Sequence, residues 1–371
     1  MKKKKLKLAA NIDGPGWNFV GWQHPDIPAD SSENIDFYIQ QAQLAESAKF
    51  DTLFLVDVSH VGPGNIPHYL SMFEGVSLSM HTKKIGLSAT VSTSHADPYS
   101  VARQILSLDK ISKGRASLNA ITSNPGGMVN FSRGHLGKQD QSPMQKEFLE
   151  ILLGLWDTYE DDAFVRDKKR GVYLNPYKMH RVDYSGKYFS VEGPLNISRS
   201  IQGRPVLYTA GMSATLFDHA TTYTDGVFTH GNTLEEAVGI ANDIRRRLIK
   251  KGRKPEDFII SISQNPIVGR TEQEAQEKYL ELLRLKPNNS LPRPLFFGSA
   301  EKVANQVQQW YEEGAIDMLI LRQDHPHGLK DFIELVVPIL QERGIYRTEY
   351  ESDKLRGNLE IPKPSFRKIS T

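Results

Sequence analysis

Four apolar runs in this chain stop on polar residues, and that placement limits the choice of fold more than any other feature. Thr52-Leu-Phe-Leu-Val-Asp-Val58 carries Asp57 at its end, and Ile85–Thr93 finishes in the hydroxyls of Thr90, Ser92 and Thr93. Arg115–Ser123 finishes in Asn119, Thr122 and Ser123, and Pro205–Ser213 in a small polar turn. Strands of a parallel sheet are covered on both faces, so they read as near-continuous apolar runs. Polar residues gathered at one end of such strands mark a shared working face.

The same pattern extends to eight strands: Leu6–Ile12, Thr52–Val58, Ile85–Val91, Ala116–Thr122, Pro205–Thr209, Gly226–Thr229, Phe258–Val268 and Asp317–Leu321. Helical periodicity lies between them over Asn34–Lys49, Tyr99–Ile111, Met144–Tyr159, Leu234–Lys250 and Ala300–Glu313. Leu329–Gln341 closes the series, with a stop near Gly344. Strands alternating with helices predict a parallel α/β architecture, and eight strands is the barrel number. In the first helix, Ser31 or Ser32 is the expected cap, with Phe37, Ile39, Leu44 and Ala48 on the covered face.

Two segments exceed a minimal (β/α)8 barrel. Asn124–Gln141 is a Gly- and Asn-containing loop after the fourth strand. Asp161–Ser200 precedes the fifth, and within it Asp183–Ser190 reads as a hairpin turning at Ser185-Gly186. Residues 1–350 form one unit on this reading. The tail, 351–371, has no period and is expected to pack loosely.

A net charge of +2 with 24% charged residues argues against a nucleic-acid or membrane partner. The lysines Lys2–Lys5 read as a solvated lead into the first strand, with no apolar signal segment behind them. Zero cysteines exclude disulfides and thiolate chemistry. The expected location is the cytoplasm.

Asp57, at the end of an apolar strand, reads as a pocket residue rather than a cap. The hydroxyls of Thr90 and Thr93 suit a bound cofactor and ordinary β-propensity equally. Histidines recur near strand exits at His60, His95, His135 and His230, with His24 on the first loop. They lack helical i, i+4 spacing and an evident carboxylate, so no metal is expected; one pocket histidine acting as acid, base or donor fits better. Trp17, Trp22, Met128 and Phe131 can line a substrate pocket, although packing explains each singly. No nucleophile elbow and no phosphate-loop spacing occurs.

A set of longer motifs resembles a known family. It comprises Gly21-Trp-Gln-His-Pro25, Asp36-Phe-Tyr38 with Ala42-Gln-Leu-Ala-Glu46, Phe54-Leu-Val-Asp57, Gly86-Leu-Ser-Ala-Thr90 and Arg103 to Asp109. Ser112-Lys-Gly-Arg115, Gly154-Leu-Trp156, Gly186-Lys-Tyr-Phe189, Gly193-Pro-Leu-Asn196, Gln202-Gly-Arg-Pro205 and Ala210-Gly211 continue it in order. Together they resemble the bacterial-luciferase-like flavin monooxygenases, in the nitrilotriacetate and dibenzothiophene-sulfone monooxygenase branch. The resemblance runs from about Leu8 to Leu355. It implies a (β/α)8 TIM barrel that binds reduced FMN at the carboxyl rim and uses O2 to oxygenate a small sulfur- or nitrogen-containing substrate. It also implies a separate NAD(P)H-dependent flavin reductase and a homodimer.

By position in the family's motifs, the flavin contacts fall on Asp57, Thr90, Lys138, Ser142, Met212 and Ser213. Lys138 and Ser142 stand where the family carries His and Tyr, and Met212 where it carries Ser. A lysine is a point charge and a serine is short, whereas imidazole and phenol are directional donors. The segment Lys286–Leu295 is much shorter than the family's cover over the site, and the helix after Asp57 is about one turn short. A diverged barrel that binds flavin or another small molecule without turnover is therefore the alternative expectation. Deazaflavin-dependent hydride transfer, a sister chemistry on the same barrel, ranks third.

Overall fold

A computed structural model of the protein describes residues 4–14, 16, 21–57, 71–122, 130–131, 137–285 and 293–367. Eight parallel strands close into a barrel: β1 (Lys7–Ile12), β2 (Thr52–Leu55), β3 (Gly86–Ser92), β4 (Ala116–Ile121), β7 (Val206–Ala210), β8 (Gly226–Thr229), β9 (Ile259–Gln264) and β12 (Met318–Leu321). Each strand pairs with its neighbour in the series, and β1 seals the barrel against β12 with Leu8 opposite Leu319. Outside it, β5 (Tyr184–Ser185) and β6 (Ser190–Val191) form a hairpin, while β10 (Ile267–Gly269) pairs with β11 (Phe297–Ser299). Among the described residues, no helix is long and apolar enough to cross a membrane.

Side-chain alternation divides each strand between two cores. On β1, Leu8, Ala10 and Ile12 join the large cluster between the barrel and its helices. Ala9 points the other way and joins Phe54, Val206, Tyr208, Met318 and Ile320 inside the barrel. Outer helices α1 (Ile35–Ser47), α2 (Ser71–His81), α3 (Pro98–Ile111), α4 (Lys138–Trp156) and α8 (Ala300–Glu312) cover the first core. Helices α5 (Ala214–Tyr223) and α6 (Leu234–Lys250) pack on Val227 and Ile260, and α7 (Glu272–Leu285) packs on Ile267 and Phe297.

The amino-terminal end of the barrel is plugged by the chain's last described segment. Leu355, Leu359 and Ile361 belong to the interior cluster and are 0%, 0% and 6% exposed. Gly86 makes room for the plug, since a Cβ there would lie 2.5 Å from a methyl of Leu355. Beside it Arg347 pairs with Asp51 at 2.9 Å, both side chains being almost wholly buried. The expectation of a loosely packed tail fails here. Leu355 and Leu359 stand at i, i+4 around a single short turn of helix (Leu355–Asn358), too brief to read as a period, yet with Ile361 they fill a hole that only the closed barrel creates.

Other differences are local. The run Phe258–Val268 is two strands, because Pro266 lacks the N–H that a continuing ladder needs. The hairpin turn is Gly186–Phe189, closed by the Gly186 N–H to Phe189 O at 2.9 Å, and Ser185 pairs with Ser190. Asn34, not Ser31 or Ser32, caps α1 by accepting from Phe37 N. The covered stripe of α1 is Tyr38, Gln41, Ala42 and Ala45, rotated from the expected face. Helix α4 begins six residues before the expected Met144, with Pro143 inside its early turns.

Candidate functional site at the carboxyl rim

The strand ends bring the expected residues to one mouth of the barrel. Asp57 lies just beyond β2, Thr90 lies on β3, and Asn119 lies opposite Thr90 on β4. Ser71, the first residue of α2, ties them together. Its N–H and hydroxyl reach Asp57 Oδ2 at 3.2 and 3.1 Å, and its hydroxyl also lies 2.9 Å from Thr90 O. Thr90 N–H donates back to Ser71 Oγ at 3.2 Å, and Asn119 Nδ2 approaches Thr90 Oγ1 at 3.5 Å. A carboxylate at the start of α2 is favoured by the helix dipole as well as by these bonds. Thr93 has a structural task instead: its hydroxyl donates to Ile121 O at 3.1 Å.

Beside this network sit two acids that the sequence reading did not single out. Asp13 follows β1 and Glu74 faces inward from α2; they are 4% and 3% exposed. Burial pushes the Asp13 carboxyl up to about 7, against the opposing pull of Arg322. Burial, with repulsion from Asp13 and Asp57, holds Glu74 well above the usual carboxylate range. Burial, reinforced by Arg322, pulls His230 down. Among the described residues, both oxygens of Asp13 and one each of Glu74, Asn11 and Asn119 are buried without a hydrogen-bond partner. Such atoms cost free energy unless something supplies donors. Asp13 was within reach of the sequence, because the first strand ends on an acid just as Thr52–Asp57 does. Glu74 and Ser71 carried no such signal, being set by how α2 folds back over β2 and β3.

The remaining expected residues stand on the same rim. Lys138 and Ser142 lie in the first turns of α4, a helix seated by Gln145, whose Nε2 donates to Ala120 O at 3.2 Å and Thr209 Oγ1 at 3.0 Å. His219 Nδ1, 3.1 Å from Gln145 Oε1, links α4 to α5. Ser213 caps α5, accepting from Leu216 N at 3.1 Å, and Met212 before it is 44% exposed. His95 stacks flat on Phe131 with ring centroids 4.3 Å apart. Trp22 is exposed. Trp17, His60, Met128, His135 and residues 286–292 lie outside the described residues.

Residues 17–328 match a family described as luciferase-like monooxygenase. The chain is 35% identical to N-acetyl-S-(2-succino)cysteine monooxygenase of Bacillus subtilis (strain 168), with 98% of each chain covered. It is 30% identical to nitrilotriacetate monooxygenase component A of Aminobacter aminovorans, with 97% of each covered. Both alignments are longer than this chain's 371 residues, so the relatives carry segments that it lacks. Among solved structures it is similar to a riboflavin lyase, RcaE, crystallised with modified FMN and riboflavin: TM-score 0.90, 26% identity, 98% of each chain.

Proposed function

The chain belongs to the luciferase-like monooxygenase family, and from that premise we propose that it uses reduced FMN and O2 to oxygenate a small organic substrate carrying sulfur or nitrogen. A separate NAD(P)H-dependent reductase would supply the reduced flavin, a division of labour in keeping with the relative named as component A. A cytoplasmic homodimer belongs to the same proposal.

One observation carries the reading: the set of buried, unpaired oxygens on Asn11, Asp13, Glu74 and Asn119 around the barrel mouth. A reduced isoalloxazine presents ring N–H groups, and acceptors held on β1, just beyond it, on β4 and on α2 suit them. The flavin supplies the oxygen chemistry when bound; the protein binds it, orients it and keeps water out. Asp57 and Thr90 would hold the ring system. Lys138, Ser142, Met212 and Ser213, at the starts of α4 and α5, would serve the phosphate end, where helix N-termini favour anions. Asp13, raised to about 7 chiefly by burial, can hold a proton on its carboxyl near neutral pH.

The test is an anaerobic titration of the full-length protein with reduced FMN, followed by admission of isotopically labelled O2 with a thioether or amine. Saturable micromolar binding and one labelled oxygen in the product are expected. No binding at micromolar reduced FMN overturns the proposal. Binding without oxygen transfer to any such substrate favours the diverged binding barrel.

A further inference from the structure

Three histidines converge where the loop after β1 meets the loop after β12. The ring centroids of His24 and His327 are 5.1 Å apart, His24 and His325 6.0 Å, and His325 and His327 5.6 Å. Asp26 and Glu281 complete the group. Asp26 Oδ2 lies 3.1 Å from His327 Nε2, and the two Glu281 oxygens lie 3.2 Å from His24 Nε2 and 3.3 Å from His325 Nε2. Of the 11 histidines in the chain, these are brought together by the adjacency of β1 and β12, not by spacing along the sequence.

The hydrogen bonds settle the tautomers of two rings. The Asp26 backbone N–H donates to His24 Nδ1 at 3.2 Å, and the His327 N–H donates to His325 Nδ1 at 3.2 Å. A nitrogen that accepts has no proton, so Nε2 carries it in each ring and both Nε2–H groups point at Glu281. Glu281 thus orients His24 through Nε2, and the Nδ1 lone pair, which accepts from the Asp26 N–H in the metal-free protein, is the one an ion would take in exchange. Carboxylates do the same for imidazoles that ligate metals.

We propose that His24, Asp26 and His327 form a site for a first-row divalent metal ion, with zinc the favoured occupant. Their donor atoms all lie within 4.8 Å of one another, which sets this group apart among the described residues. Tetrahedral zinc places N and O ligands roughly 3.3 Å apart, so a small inward turn of exposed side chains completes the site. Two imidazoles and one carboxylate match the borderline preference of zinc, and magnesium or calcium would prefer oxygen alone. Asp26 and His327 are 65% and 33% exposed, which leaves a path for the ion and a fourth position for water; His24, at 7%, is the fixed wall. The ion would clip the loop after β1 to the loop after β12 and, through Glu281, to α7. This inference does not depend on the flavin reading.

The experiment uses metal-stripped, untagged full-length protein. Zn2+ is titrated calorimetrically, Co2+ is followed by its visible d–d absorption, and Asp26→Asn and His327→Ala are run beside the parent. Expected are one equivalent of tightly bound Zn2+, a cobalt spectrum of low-coordinate type that Zn2+ abolishes, and at least a tenfold loss of Zn2+ affinity in each variant. The metal should also raise the melting temperature of the parent but not of His327→Ala, while the metal-free melting temperatures stay alike. No Zn2+ uptake at micromolar concentration overturns the proposal, as does uptake that both variants leave unchanged.

Discussion

Ser71 aims its backbone N–H and its hydroxyl at a single oxygen of Asp57, at 3.2 and 3.1 Å. The same hydroxyl accepts from the Thr90 N–H, so one small side chain couples the end of β2 to β3. Asp57 therefore owes its position to a residue fourteen places along the chain.

Ser71→Ala removes that coupling and leaves the backbone bond. Reduced-FMN affinity is expected to fall about tenfold, with a stability loss of ~1–2 kcal/mol from the lost buried hydrogen bond. Fluorescence titration and a urea melt measure the two separately. An unchanged flavin affinity would show that Asp57 takes no part in binding.

Asp13 gives a pH test. Its folded-state pKa, about 7, is above the 3.8 expected when unfolded, so between these values the folded protein binds more protons than the unfolded one. Stability therefore declines as pH rises from about 4 to about 7 and levels off above that, in the flavin-free protein. Asp13→Asn removes the charged form. It is expected to raise the melting temperature by roughly 2 °C or more at pH 8 and by less at pH 5. Equal shifts at both pH values would mean that Asp13 does not titrate in this window.

The barrel floor predicts large losses from small changes. Leu355→Ala opens a cavity in the interior cluster and should cost about 2–5 kcal/mol. Arg347→Met takes its ion-pair partner from buried Asp51, with Lys7 as the remaining positive neighbour, and should cost about 3–5 kcal/mol. Denaturant midpoints check both. Losses under 1 kcal/mol would mean that the segment after residue 346 is not part of the folding unit.

Met212 stands exposed at the turn before α5, at the position where the motif resemblance implies a serine. Met212→Ser adds a hydroxyl where the proposal puts the flavin phosphate. Reduced-FMN affinity is expected to rise two- to tenfold, which is about 0.5–1.5 kcal/mol. A weaker affinity would place the phosphate elsewhere on the rim.

Much of this molecule is local information. Apolar runs such as Ile85–Val91 form strands because burial on both faces requires continuous apolar residues, and the period of Ala300–Glu312 makes a helix with one covered stripe. Asp57, Thr90, Asn119 and Ser213 could be named in advance since the polar end of each strand is visible in its own few residues. The covered stripe of α1 differs from the expected one because the buried face includes a polar residue, Gln41, that donates to Gly14 O. Only a partner far along the chain makes that glutamine a buried residue.

The sequence by itself therefore decided the class of fold, the number of barrel strands and the end at which polar groups collect. These follow from propensity and period, which act over a few residues. Tertiary structure alone decided that Leu355 plugs the floor behind Gly86, that Asp13 and Glu74 are buried near Asp57, and that His24 meets His327. Each depends on barrel closure, which places β1 beside β12 and withdraws water from groups that the unfolded chain leaves solvated. Burial and proximity between distant residues set those energies, and neither is written in any short stretch of sequence.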